Sequence, residues 1–147
     1  MSHDSSDIDN TLIAMLGADS TLLSYMPDGV YWEEGPPNAK RFVVVSLVDE
    51  VDVQKFGGRS YENALYMVKA VGLSTLSPNM KSAAARIDVL LDNGRVGLGS
   101  PPTVQGYTCM LLERESRLRR TEVDVVDPAI RWYHRGGNYR CYMSVSP

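Results

Sequence analysis

The chain has 147 residues, 44% of them hydrophobic, and a formal net charge of −3, which fits one globular domain over residues 1–147 and excludes wholesale disorder. No apolar run approaches the ~20 residues needed to span a bilayer, and the polar, acidic start MSHDSSDID argues against a secretory leader. The charge is uneven: residues 1–52 carry ten acids against Lys40 and Arg41, a balance of −8, and residues 53–147 carry thirteen basic residues against eight acids, +5. Opposite patches of this kind orient head-to-tail contacts between identical subunits, although a scattered, solvated surface gives the same totals. Cys109 and Cys141 are the only cysteines. They match no metal or redox spacing and read as buried free thiols in a reducing compartment such as the cytoplasm.

Residues 1–6 read as a flexible N-terminus. Asp7 then stands as an N-cap before Ile8, Leu12, Met15 and Leu16, which recur at helical spacing up to Gly17. A shorter helical turn over 20–26 stops at Pro27. Asp28-Gly29 is a turn signal, 30–32 a short strand, and Gly35-Pro36-Pro37-Asn38 a stiff connection. Residues 42–48 are apolar on both faces, the pattern of a central, doubly covered strand. A second long strand over 61–73 places Tyr61, Leu65, Met67, Val71 and Leu73 mostly on one side. The pair predicts an extended hairpin with a polar tip at 52–60, an arm long enough that a partner is expected to order it.

Ser77-Pro78 opens a second main helix, with Ala83, Ala84, Ile87, Leu90 and Leu91 as its buried stripe and Asn93-Gly94 as its end. The last third returns to β-structure: a strand at 107–113, an alternating stretch at 122–126, and two strands, 129–135 and 139–145, around Gly136-Gly137-Asn138. That tripeptide is a strong hairpin signal. The predicted class is α+β: an antiparallel sheet with long β-hairpins and two main helices packed on one face.

Catalytic chemistry finds little support. Gly94-Arg95-Val96-Gly97-Leu98-Gly99 follows a helix, whereas a dinucleotide loop must follow a strand and open a helix. His3 lies near the terminus, and His134 has no nucleophile or orienting acid at a telling distance along the chain. The acid pairs Glu33-Glu34, Asp49-Glu50 and Asp124 with Asp127 lack a neighbouring histidine or a ligand spacing and read as solvated charge. No catalytic, cofactor or metal residue is assigned. The basic groups carry more. Arg114, Arg117, Arg119 and Arg120 cluster around a predicted loop, Arg131, Tyr133 and Arg135 alternate onto one face, and Arg140 and Tyr142 share a face. Arginine with tyrosine serves protein–protein contacts, where guanidinium forks meet carboxylates. The same residues also suit phosphate binding and base stacking, or a solvated face.

The order of elements then becomes informative. A leading amphipathic helix and a Pro-rich turn precede RFVVVSLV. A polar hairpin ending GGRSYENALYMVKAVG follows, then SPNMKSAAARIDVLLDN and the closing IRWYHRGGNYRCYMSV. Over roughly residues 8–146 this resembles the tail terminator (tail completion) family of long-tailed bacteriophages, through element order, the Arg59-Ser60-Tyr61 strand entry and the segment from Tyr133 to Arg140. The resemblance implies a virion structural protein, not an enzyme and without a cofactor. It would form a homo-hexameric ring at the head-proximal end of the tail, assembled in the host cytoplasm. The implied partners are further copies of itself, the major tail tube protein, the head–tail connector or stopper protein, and genomic DNA passing through the lumen, with no membrane. Within that reading Asp52, Gln54, Lys55 and Arg59 on the arm, with Arg117, Arg119, Arg120, Arg131, Arg135 and Arg140, are the expected subunit or tail-tube contacts. Other readings stay open: another head–tail junction subunit of neck or stopper type, a small nucleic-acid-binding α+β domain, and an unrecognised hydrolase.

Overall fold

The structure, a computed structural model, describes residues 6–35, 38–55, 58–73, 77–92, 104 and 106–145, with side chains at all of these except 50–55, 58–61, 77, 108, 110 and 145. The glycine-rich run 94–99, the Pro-Pro pair 101–102, residues 1–5 and the hairpin tip 56–57 lie outside the described residues. In chain order the elements are α1 (Ser6–Gly17), α2 (Ser20–Tyr25), β1 (Val30–Trp32), β2 (Arg41–Lys55), β3 (Gly58–Leu73), α3 (Ser77–Leu91), β4 (Tyr107–Val123) and β5 (Arg131–Val145). The strands form one sheet in the order β1-β2-β3-β5-β4.

Ile8, Leu12 and Leu16 fall four residues apart on one face of α1 and are buried against the sheet. Burial of each such side chain contributes about 1.5–3 kcal/mol. Asp7 lies inside the first turn rather than at the cap, where its charge meets the positive end of the helix dipole. Asp9, two residues on, accepts a hydrogen bond from the Tyr66 hydroxyl at 2.5 Å, which fixes α1 to the middle of β3. Asp19 caps α2: its carboxylate accepts from the Leu22 amide at 2.9 Å.

β1 pairs parallel to β2, Val30 opposite Val43, so the sheet is mixed rather than wholly antiparallel. A three-residue strand is only ~10 Å long, so the return from the end of β1 to the start of β2 covers little distance. Gly29 (φ 100°) enters this unit and Glu33 (φ 66°) leaves it. The β2–β3 hairpin is longer than its sequence suggested. Its ladder runs from Arg41 opposite Gly72 to Lys55 opposite Gly58, so most of the arm expected as a polar tip is paired strand.

Alternate residues of β3, namely Ala64, Tyr66, Val68 and Ala70, face the helices and are buried with Val43, Val45, Tyr139, Cys141 and Met143. The odd-numbered set Leu65, Met67, Val71 and Leu73 faces the other way. α3 adds Met80, Ala83, Ile87 and Leu91 to the core, and Ala84 and Leu90 are half-buried.

Two expectations are corrected in the last third. First, Gly136-Gly137-Asn138 is not a turn: β5 runs unbroken through it, paired with β3 on one side and β4 on the other. Neither glycine has a positive φ. They are glycines because neighbouring backbone lies too close for a side chain. A β-carbon on Gly136 would meet the Val68 carbonyl oxygen at 2.1 Å, and one on Gly137 the Ser116 carbonyl oxygen at 2.8 Å. Second, Arg114 to Arg120 do not lie around a loop but along β4, a continuous strand whose partner is β5. Arg131, Tyr133 and Arg135 therefore share one strand with Arg140 and Tyr142, on opposite faces of it. β4 ends at Val123, and Val125 and Val126 stand exposed in the turn to β5.

Candidate subunit-contact surfaces

Along α3, Lys81, Ala84, Ala85 and Asp88 recur at i, i+3, i+4 and i+7, one stripe beside the buried one. The stripe faces Arg114, Arg117, Leu118 and Arg119 on β4 and Arg135 and Gly136 on β5, across a cleft of about 440 Å³. The two alanines keep the cleft open, because nothing beyond a methyl group projects from the helix there.

Among the described residues five cations line this cleft against one carboxylate, Asp88. Arg114 is committed to it, with NH1 donating to Asp88 Oδ2 at 2.6 Å. The Tyr139 hydroxyl donates to Asp88 Oδ1, and burial together with that carboxylate pushes the Tyr139 hydroxyl far above the usual phenol range. Missing Cβ atoms help here too: the Arg114 stem runs 3.2–3.3 Å from where a Gly137 β-carbon would be. Arg135 lies over the Tyr133 ring, 4.8 Å from its centroid, and donates to the His134 carbonyl oxygen at 3.1 Å. Lys81, Arg117 and Arg119 form no ion pair with a described residue. α3 is held in place at its other side by Arg86, whose Nε and NH2 donate to Asp19 at 2.8 and 2.7 Å. That two-pronged pair holds the Asp19 carboxyl below the usual range.

The opposite margin of the sheet is acidic. Glu33 and Glu34 are exposed at the end of β1, and Asp49 is exposed on β2. Glu33 N–H donates to the Val45 carbonyl oxygen and Glu34 N–H to that of Trp32, both at 2.8 Å, so the turn is fixed. Exposed Leu47 and Val48 lie between these acids. Glu33, Glu34 and Asp49 thus lie at the β1–β2 margin of the sheet and the cleft arginines on β4 and β5 toward the other, where Asp124 and Asp127 sit in the turn between those two strands.

Of the residues expected to make contacts, Arg117, Arg119 and Arg135 meet in the cleft. Arg120 turns to the other face, beside His134 and Lys69. Arg131 is exposed at the start of β5. Arg140 is engaged within the chain, donating to both oxygens of Glu115 at 2.8 and 3.0 Å and to Asn63 Oδ1 at 2.9 Å. Asp52, Gln54, Lys55 and Arg59 have backbones in the β2–β3 hairpin, and their side chains lie outside the described residues. Lys81 and Asp88 were missed. Their helical spacing was visible, but nothing local names the strand that α3 covers.

A second hollow, about 270 Å³, lies on the face away from the helices and includes Phe42, Val71, Glu122, Trp132 and His134. His134 Nε2 is 3.0 Å from Glu122 Oε2, and its Nδ1 is buried without a partner among the described residues. Burial, then the positive charge of Lys69, hold its pKa below the ordinary histidine range despite Glu122. Among the described residues no hydroxyl or thiol lines this hollow. Cys109 and Cys141 form no disulfide, and a hydrogen bond between them draws the Cys109 pKa down. Among the described residues no group of three or more His, Cys, Asp or Glu is placed to hold a metal, and no helix is long and apolar enough to cross a membrane.

The fold has known counterparts. The chain is similar to a chain from a solved virion of a native gene transfer agent particle, with a TM-score of 0.66 and 17% identity over 95% of this chain and 96% of that one. A second solved structure aligns with a TM-score of 0.59 and 12% identity over 99% of both chains. No protein-family model matches the sequence, and no curated protein is significantly similar to it. At these identities the likeness is one of fold, and it runs nearly end to end.

Proposed function

We propose that this chain is a virion structural protein of tail terminator type, a subunit that closes with its copies into a ring at the head-proximal end of a tail. The ring would end polymerisation of the tail tube and join it to the head connector. The observation that carries this reading is the end-to-end fold likeness to a chain of a gene transfer agent virion. The placement of charge supports it: a ring requires two different surfaces per subunit that match each other, and the acidic and basic sheet margins are such a pair. Function here is complementarity of surfaces, without turnover.

The test is deletion of the gene in the producing strain, followed by microscopy and mass spectrometry of the particles. The expected result is heads without tails, together with detached tails longer than normal, and recovery of the polypeptide from wild-type particles at the junction below the head. Normal tailed particles from the deletion strain would overturn the reading. A neck or stopper subunit would instead leave tails of normal length, unjoined. The nucleic-acid reading draws on a smaller set of free cations than the sequence offered, because Arg114, Arg135 and Arg140 are engaged within the chain.

A further inference from the structure

We propose that the basic cleft between α3 and β4 is the receiving half of a contact between two copies of this chain, and that Glu33 and Glu34 of the next copy are what it receives. The inference rests on the ring-forming reading and names its surfaces.

Three observations carry it. Among the described residues the cleft has an excess of cations, since Asp88 serves Arg114 and leaves Lys81, Arg117 and Arg119 without an ion pair. Positive charge held at this density around a partly enclosed cleft favours a carboxylate from elsewhere. The second observation is position. β1 and β4 are the two ends of a five-stranded sheet, ~19 Å apart at ~4.8 Å per strand, so a chain cannot place its own Glu33 and Glu34 in its own cleft. The third is the state of those two acids. Glu33 is the one described non-glycine residue with positive φ, at 66°, a backbone state uncommon outside Gly, Asn and Asp. Hydrogen bonds to Val45 and Trp32 hold the turn there. Two exposed carboxylates are thereby displayed on a rigid corner rather than on a loose loop.

The surroundings match as well. Leu47 and Val48 are exposed beside the acidic corner, and Leu118, Ala84 and Ala85 supply apolar surface in the cleft. A cleft of about 440 Å³ admits a few side chains, not a nucleic-acid duplex. Because the two surfaces differ, the contact repeats in one direction around a ring.

The test uses the full chain and two charge-reversed variants, R117E/R119E and E33K/E34K. Each places like charges across the proposed contact, and each is expected to weaken self-association at least about tenfold in sedimentation velocity at low salt. Mixed together, they restore it, because the acidic cleft of one variant meets the basic corner of the other and the wild-type halves meet in alternation. This recovery also shows that both variants fold. In the wild type, a zero-length carbodiimide should link Lys81 to Glu33 or Glu34 between isotopically light and heavy copies. A wild-type chain that does not self-associate at low salt, or variants that stay apart on mixing, overturn the inference. A ring that persists in R117E/R119E also overturns it, while the virion reading stands. Variants that behave as expected while deletion particles keep normal tails sink the virion reading alone.

Discussion

The Val68 carbonyl oxygen stands 2.1 Å from the point where a β-carbon would sit on Gly136. No side chain can move aside to relieve that approach, because the obstacle is the backbone of the neighbouring strand. Gly136→Ala is therefore expected to cost about 3 kcal/mol, at the upper end of ordinary overpacking, read as a lower urea midpoint. Gly17→Ala is the control: nothing lies within 4 Å of that position, and the variant should be neutral or slightly stabilised.

Asp19 does two jobs, capping α2 and pairing with Arg86, and the two separate by substitution. Asp19→Ala loses both and should cost about 1–2 kcal/mol; Asp19→Asn keeps a capping oxygen and loses the charge. Hydrogen bonds from Arg86 lower the pKa of the folded carboxyl, against an opposing effect of burial. Its contribution is thus complete above the unfolded value of ~3.9 and is lost as pH falls through the lower folded one. Stability of the Asn variant should depend less on pH below about pH 4 than the wild type does.

His134 acts in a different window. Its folded pKa lies below the ordinary value of ~6.5 because burial and Lys69 disfavour the charged ring. The unfolded chain binds the proton more readily, so stability is present above ~6.5 and is lost as pH falls through the folded pKa. His134→Gln should flatten that loss. Glu122→Gln should steepen it, because Glu122 favours the protonated ring. Proton NMR of a chain with two histidines gives the pKa directly, and a value above 6.5 would contradict the geometry.

Asp88 should show opposite effects on folding and association. Tyr139→Phe removes a buried hydrogen bond to a carboxylate and should cost about 2 kcal/mol. Asp88→Asn weakens the anchors of Tyr139 and Arg114, lowering stability in the same assay. It also removes the one carboxylate of the cleft, so self-association should tighten. Sedimentation and unfolding of one variant thus move in contrary directions.

What was legible in the sequence was local. Ile8, Leu12 and Leu16 announce α1, the alternation of Tyr139, Cys141 and Met143 announces half of β5, and Ser77-Pro78 announces α3. The order of elements was legible as well, and it is what carried the resemblance. The misread segments depend on distant chain. Gly-Gly-Asn is read as a turn because such residues tolerate positive φ, whereas here the glycines answer to Val68 and Ser116 on other strands. RESRLRR lacks an apolar alternation because β4 is an edge strand, and what makes it a strand is its ladder with β5. The parallel pairing of β1 leaves no mark in three residues. Both halves of the proposed contact were visible as charge, but only the sheet order puts them at opposite margins.

β4 ends the sheet with seventeen residues and no described strand beyond it. A bare margin that long would ordinarily invite an identical strand to zip alongside it. Residues 114–120 discourage this: four arginines stand against Glu115, and Glu115 is already taken by Arg140. Two such margins repel when brought together, which disfavours back-to-back dimers with two-fold symmetry. The same charges that would draw a neighbour's acidic corner thereby close off the symmetric dead end, leaving unlike-to-unlike growth as the open route to assembly.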